Sequence, residues 1–191
     1  MVGIIFGPPG SGKGTQAARV EQAFGLKHLS TGDLLRAEAE RDTPIGREAT
    51  RLMAAGELVP DDLIVRIVED RVHRDRIGAG VLLDGFPRTL EQAHALDSML
   101  ARDGRKVDFV VALEAPEDVV VGRLLGRSSE QERVDDTPEA IRERLREHYS
   151  LTTPVLDYYR DTGVPIEKVD AVGSVDEVFE RVKDVLLRRG S

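Results

Sequence analysis

The sequence predicts an α/β domain whose parallel sheet carries helices on both faces. Two observations support this prediction: apolar segments alternate with helical patterns, and the first apolar segment leads directly into a glycine-rich loop and a helix. The chain has 191 residues, of which 40% are hydrophobic, and it is therefore long enough to bury the core of one such domain.

Four apolar segments are predicted to be strands of the sheet. They are VGIIF (2–6), VLLD (81–84), FVVAL (109–113) and VPIEKV (164–169). Sheets of this kind bind ligands at the carboxyl ends of their strands. The glycine loop, Asp84 and the residues after Leu113 all follow such ends, so we expect them to lie close together.

Helix signals lie between the strands. A helix is predicted from Lys13 to about Phe24, where Gly25 ends it, and a long helix is predicted through Tyr149. Residues that are typical of helix N-termini precede the other patterns. They are Asp61, Thr89, Thr137 followed by Pro138, and Ser174 with Glu177 three residues later.

Two segments fit this alternation poorly. Residues 30–59 are predicted to insert two short helices after a very short strand. Residues 126–136, GRSSEQERVDD, are polar and lack periodicity. We therefore expect both segments to extend away from the core.

Charge and composition argue against several classes of function. The formal net charge is −8 and the isoelectric point about 5.1, which disfavours binding to nucleic acids or to membrane surfaces. The chain has no cysteine, and its four histidines are scattered in sequence, so we expect no structural zinc. With neither a long apolar segment nor a signal-like N-terminus, we expect a cytoplasmic protein.

The glycine loop GPPGSGKGT (7–15) nearly matches the phosphate-binding pattern G-x-x-x-x-G-K-[ST]. Glycines let the backbone turn its amide groups toward a phosphate at the mouth of a helix, where the helix dipole favours anions. Lys13 adds a positive charge that can reach the β- and γ-phosphates. The loop is therefore predicted to hold a nucleotide triphosphate.

Gly14 departs from the pattern, which has a Mg²⁺-binding hydroxyl at this position. Without that hydroxyl, Mg²⁺ must be held mainly by the nucleotide phosphates and by water molecules that carboxylates orient. Asp84 at the end of VLLD is the first candidate for this role and Asp33 the second. We thus expect no direct protein ligand to the metal.

Several arginines surround these motifs and are candidates for phosphate contacts. Arg88 follows a strand end in DGFPR, Arg36 lies one turn into the helix that begins at STGDLLR, and Arg123 and Arg127 share one helix face. Arg133 lies in the polar segment, and Arg144 lies in the long helix. Taken together, they indicate a binding site for several phosphates.

The motifs, in their order along the chain, resemble the adenylate kinase family of ATP:AMP phosphotransferases. They are GPPGSGKGTQ, STGDLLR, ELV, LLDGFPRT, GRLLGR, RVDD and IRERL. The resemblance implies a P-loop NTPase-type core with a five-stranded parallel sheet, formed by residues 1–29, 60–125 and 137–191. It also implies a monophosphate-binding arm at 30–59, a short lid at 126–136 and a monomeric protein.

The resemblance also implies which residues bind each nucleotide. Those expected at ATP are Gly10, Ser11, Gly12, Lys13, Gly14, Thr15, Arg123, Arg127 and Gly173. Those expected at AMP are Thr31, Arg36, Glu57, Leu58, Val59, Gly85, Phe86, Pro87, Arg88, Gln92, Arg133 and Arg144. The residues expected to act in catalysis are Lys13, Arg88, Arg123, Arg133 and Arg144, with Asp84 orienting the hydrated metal.

The expected reaction is the reversible transfer of a phosphoryl group from MgATP to AMP, which gives two ADP. The accepting AMP oxygen is already ionised at neutral pH, so positioning and charge neutralisation suffice and no general base is needed. Closure of the lid and the arm is expected to exclude water.

Three alternatives remain at this point. The nearest is a UMP/CMP kinase of the same fold, although Thr31 and Gln92 favour adenine, and Leu58 and Val59 supply an apolar wall for it. A guanine-nucleotide switch is disfavoured because the chain contains no asparagine for an Asn-Lys-x-Asp element. A kinase of a small molecule other than a nucleotide is disfavoured by the motifs of the arm.

Overall fold

The structure is a computed structural model that describes residues 1–40, 44–55, 57–74, 80–131 and 137–188. Five parallel strands form one sheet in the order β2-β3-β1-β4-β5. Their bounds are β1 Val2–Phe6, β2 Lys27–Ser30, β3 Val81–Asp84, β4 Phe109–Glu114 and β5 Ile166–Asp170. The predicted α/β fold with a five-stranded parallel sheet is confirmed.

Helices cover both faces of the sheet. They are α1 Lys13–Phe24, α2 Thr31–Glu40, α3 Pro44–Ala55, α4 Asp61–Arg74, α5 Leu90–Arg102, α6 Glu117–Gln131, α7 Pro138–Glu147, α8 Thr153–Asp161 and α9 Val175–Leu187. A π-helical turn, His148–Thr152, joins α7 to α8. None of the described helices is both long and apolar enough to cross a membrane.

The central strands are apolar because both faces of the sheet are covered. In β1 the side chains alternate between two clusters: Ile4 and Phe6 pack on one face, and Ile5 packs on the other. Helices α4, α5 and α8 contribute to the first cluster, and α1 and α9 contribute to the second. The buried sheet thus fixes where each strand ends, and the loops after those ends form the site.

The predicted helix starts are confirmed at three positions. The Thr89 side chain accepts from the backbone N–H of Gln92, and the Thr137 side chain accepts from that of Ala140. Ser174 and Glu177 form the predicted capping box at α9. Each cap satisfies backbone donors that the first helical turn leaves without a partner.

The structure corrects four expectations. Both carboxylate oxygens of Asp61 accept from Thr89 and Gln92 instead of capping α4. The long helix contains the π-helical turn, and the last strand begins at Ile166, two residues later than predicted. Finally, α6 continues to Gln131, because Glu, Gln and Arg residues can prolong a helix that the buried Val120 and Leu124 already anchor.

Candidate active site

A cleft of about 840 Å³ opens at the carboxyl ends of the strands. Its lining includes every residue predicted for the site except Arg127 and Arg133. Arg127 belongs to α6, and its side chain lies outside the described part of the structure; Arg133 lies outside the described residues altogether. The cleft therefore brings together segments that are distant in sequence, at the edge of the sheet where the fold class predicts a ligand.

The glycine loop connects β1 to α1 along one end of the cleft. Gly10 has φ +83°, and a Cβ there would lie 2.5 Å from the carbonyl oxygen of Val120 in α6. Gly12 is the N-cap of α1 in the left-handed region, and no side chain caps this helix or places an acid in its first turn. The N-terminal amides of α1 therefore keep their hydrogen-bonding capacity for an anion.

Lys13 lies folded over this loop. Its Nζ donates to the carbonyl oxygens of Gly7 at 2.6 Å and Pro8 at 2.9 Å. These two contacts hold the ammonium group close to the position that a phosphate would occupy on the loop. Because water can replace them at little cost, the group can leave them to contact a phosphate.

Asp84 faces the same loop from the end of β3. It is only 8% exposed, and its Oδ2 lies 3.1 Å from Nε2 of His28. The same oxygen lies 3.4 Å from the position that a Cβ would occupy if Gly14 had a side chain. Asp33, the second candidate for orienting metal-bound water, forms an ion pair with Arg36 on α2. One carboxylate beside a phosphate-binding loop suits Mg²⁺, which keeps several waters and takes further oxygens from phosphates.

The segment after β3 forms the opposite end of the cleft together with the start of α2. The Thr31 hydroxyl donates to the carbonyl oxygen of Gly85 at 2.9 Å, and Arg88 Nε donates to the same oxygen at 2.8 Å. Gly85 has φ +78°, and a Cβ there would lie 2.9 Å from Thr31 Oγ1. Ser30 supplies the cap of α2 by accepting from the backbone N–H of Asp33.

Gln92 is 2% exposed and lines the cleft at this end. Its Nε2 donates to Asp61 Oδ1 at 2.6 Å, and its Oε1 accepts from the backbone N–H of Arg88 at 2.7 Å. Thr89 Oγ1 donates to the second oxygen of Asp61 at 2.8 Å. The protein thus already engages one N–H and one oxygen lone pair of the amide that is predicted to face the adenine base.

Two arginines reach the cleft from α6 and α7. Nη2 of Arg123 donates to the carbonyl oxygens of Ala171 at 3.0 Å and Gly173 at 3.4 Å, which links α6 to the loop after β5. Arg144 lines the cleft from α7. Predicted contacts for one nucleotide therefore meet from α6 and from the β5–α9 loop.

Sequence reasoning missed two titratable residues that line the cleft shortly after Arg144 in the chain. Glu147 Oε1 accepts from the backbone N–H of Leu58 at 3.1 Å, and burial raises the pKa of its carboxyl group. Burial, Lys13 and Arg88 lower the pKa of His148 to about 4. Glu147 follows Arg144 by three residues and His148 follows it by four. In a continuous helix these spacings place side chains on the same face as Arg144, which is the signal that could have found them.

The comparisons with known proteins agree with this geometry. The sequence profile described as adenylate kinase matches residues 5–164. An adenylate kinase of Xanthomonas campestris pv. campestris (strain 8004) is 44% identical over 185 residues, which cover 97% of this chain and 98% of the relative. An adenylate kinase of Xylella fastidiosa (strain M12) is 45% identical over 179 residues, which cover 94% and 95%. The chain belongs to the adenylate kinase family.

Proposed function

We propose that this chain catalyses the reversible transfer of the terminal phosphoryl group of MgATP to AMP, giving two ADP. The observation that carries the proposal is a cleft that has the glycine loop at one end and the segment around Gln92 at the other, and whose lining also includes Arg36, Arg123 and Arg144. We call these the donor end (residues 7–15) and the acceptor end (Thr31, 57–59, 85–88 and Gln92). Family membership supports the same reaction.

The proposed binding residues follow from this layout. At the donor end, the loop amides and Lys13 hold the ATP phosphates, while Arg123 and the backbone near Gly173 lie on the nucleotide's outer side. At the acceptor end, Arg36, Arg88 and Arg144 bind the AMP phosphate, and Val59 packs on the base. Arg127 and Arg133 remain proposals from the resemblance alone.

Catalysis would come from positioning and charge neutralisation. The AMP phosphate oxygen attacks the γ-phosphorus of ATP in line, that P–O bond forms as the bond to the β-phosphate oxygen breaks, and ADP leaves. Lys13 moves from the carbonyl oxygens of Gly7 and Pro8 to the transferring group, while the Gly85 carbonyl keeps Arg88 pointed at it. One cation acting in this way is worth about 10³–10⁵ in rate.

Mg²⁺ would travel with the nucleotide rather than reside in the protein. Among the residues that the structure describes, no group of three or more His, Cys, Asp or Glu side chains could hold a metal. Asp84 would orient the metal's water shell, and the ion would supply charge neutralisation at the phosphates. We further propose a monomeric, cytoplasmic enzyme without structural zinc, with an arm at 30–59 and a lid at 126–136.

The test begins with ADP and Mg²⁺ as the only substrates. We expect equal amounts of ATP and AMP to form, a product pair that a guanine-nucleotide switch would not generate. kcat/KM for AMP, UMP and CMP with MgATP then separates the proposal from its nearest rival. A pyrimidine acceptor used as well as AMP would contradict the proposal.

A further inference from the structure

The amide of Gln92 is held in one orientation by two partners of opposite chemistry. On one side is the carboxylate of Asp61, which in its ionised form only accepts hydrogen bonds. On the other side is the backbone N–H of Arg88, which only donates. The nitrogen of the amide must therefore face Asp61 and its oxygen must face Arg88.

The carboxylate of Asp61 is itself fixed by a closed set of contacts. The hydroxyl oxygen of Thr89 accepts from the backbone N–H of Gln92 at 3.2 Å, so the hydroxyl proton is free to point elsewhere. It donates to Asp61 Oδ2 at 2.8 Å, while Oδ1 receives the Gln92 amide at 2.6 Å. Each hydrogen bond in this set has its donor and its acceptor fixed by the chemistry of the two groups. The orientation of the Gln92 amide therefore follows from its neighbours.

The fixed amide leaves one N–H and one oxygen lone pair for a ligand. On its Watson–Crick edge adenine offers an amino donor beside a ring-nitrogen acceptor. A 6-oxopurine such as hypoxanthine offers an oxygen acceptor beside an N–H donor, in the reverse order. An amide turned by 180° would suit the 6-oxopurine as well as the present orientation suits adenine.

We propose that Asp61 is a positioning residue that sets the choice of purine by preventing the Gln92 amide from turning. This inference rests on the proposed function and deepens it, because it assigns the discrimination between AMP and 6-oxopurine monophosphates to a residue that acts through Gln92. Leaving a buried polar group without a matching partner is the strongest means of rejecting a near-isosteric substrate.

The test compares kcat/KM for AMP with that for IMP, using MgATP as donor. In Asp61→Ala the AMP:IMP ratio is expected to fall by about 10- to 100-fold, because a hydrogen bond to a charged group no longer opposes rotation of the amide. KM for ATP should stay unchanged. Asp61→Asn offers an N–H donor as well as an oxygen acceptor, so the two amides can turn together and the AMP:IMP ratio should fall in this variant too.

Asp62→Ala is the matched control. It removes the same charge from the same helical turn, but Asp62 is exposed and its carboxylate contacts Arg66 at 3.3 Å rather than Gln92. Asp61→Ser, whose side chain is too short to reach the amide but suits a helix start, repeats the test if Asp61→Ala unfolds.

The outcomes separate the two proposals. An unmodified chain that prefers AMP, with the same AMP:IMP ratio in Asp61→Ala and Asp62→Ala, would overturn the role of Asp61 alone. An unmodified chain that does not use AMP would overturn the proposed function and this inference with it.

Discussion

The donor end of the cleft is built mainly from backbone groups within one short segment, whereas the acceptor end is built from side chains that meet across the fold. At the donor end, residues 7–15 supply the turn, the amides and the lysine. At the acceptor end, hydrogen bonds join residues 31, 54 and 89 positions apart: Asp61 with Gln92, Thr31 with Gly85, and Leu58 with Glu147. The first construction is local, and we expect it to bind nucleotide phosphates whatever the base; the second depends on the whole fold, and we expect it to select the base.

From this comparison we expect one charge at the donor end, that of Lys13, to have the largest effect on kcat. Lys13→Ala should lower kcat by about 10³-fold, because one preorganised charged contact to the transferring group is lost. Lys27→Ala, which removes an exposed lysine paired with Glu21, is the control and should leave kcat unchanged. Near-normal turnover of Lys13→Ala in the coupled assay would contradict the assignment of the loop.

Backbone geometry should matter next at the donor end. Gly10→Ala should lower the free energy of unfolding by about 3 kcal/mol, through backbone strain of about 1–2 kcal/mol at φ +83° and overpacking against Val120. Gly12→Ala shares the positive φ of +91° but meets no atom within 4 Å, so it should lose only the strain term. Equal midpoints in urea unfolding for the two variants would show that α6 does not restrict the loop.

The burial of His148, together with the nearby charges of Lys13 and Arg88, should affect the pH dependence of stability. The pKa of His148 is about 4 in the fold and about 6.5 in the unfolded chain, so the unfolded chain binds more protons between these values. The contribution of His148 to stability should therefore be constant above about pH 6.5 and should fall, by on the order of 3 kcal/mol, as the pH drops toward 4.

His148→Gln isolates this effect, because the difference between its unfolding curves and those of the unmodified chain cancels all other titrating groups. His94→Gln, which changes an exposed histidine on α5, is the matched control. If the two variants showed the same pH dependence, His148 would not lie in the buried, cationic environment that the structure gives it.

The smallest expected effect concerns the hydrogen bond between Glu147 at the end of α7 and the backbone N–H of Leu58. Glu147→Ala removes the acceptor for the backbone N–H of Leu58 and should raise KM for AMP about three- to tenfold, the value of one hydrogen bond of this kind. KM for ATP should hardly change. Glu143→Ala, which breaks a pair with Arg146 one turn earlier on α7, should leave both constants as they are.

What the sequence could predict follows the same division. Four of the five strands, the caps at Thr89, Thr137 and Ser174, and the glycine loop are encoded by residues close together in the chain, and apolar segments and residue spacing predict them, although β5 begins two residues later than expected. The placement of the site residues at one edge of the sheet followed from the fold class. Local patterns sufficed wherever the interaction itself was local.

The features that the sequence did not predict depend on contacts between segments that are distant in the chain. Asp61 has the spacing of a helix cap, and only the approach of α5 to the start of α4 turns its carboxylate to Gln92. The π-helical turn at His148 and the extension of α6 to Gln131 have no period in the sequence that distinguishes them from an ordinary helix or a loop. A single sequence does not specify which of several compatible partners a side chain will meet.

The packing of α6 on the glycine loop has a consequence for how the chain can change in length. The helix has 15 residues and is about 22 Å long, and its first half is anchored by Val120 against Gly10 and by Leu124 against α7. Insertions or deletions between Leu125 and Thr137 would therefore leave the anchored half and the loop undisturbed. We therefore expect a change of length in this stretch to alter the contacts proposed for Arg127 and Arg133, but to leave the shape of the glycine loop as it is.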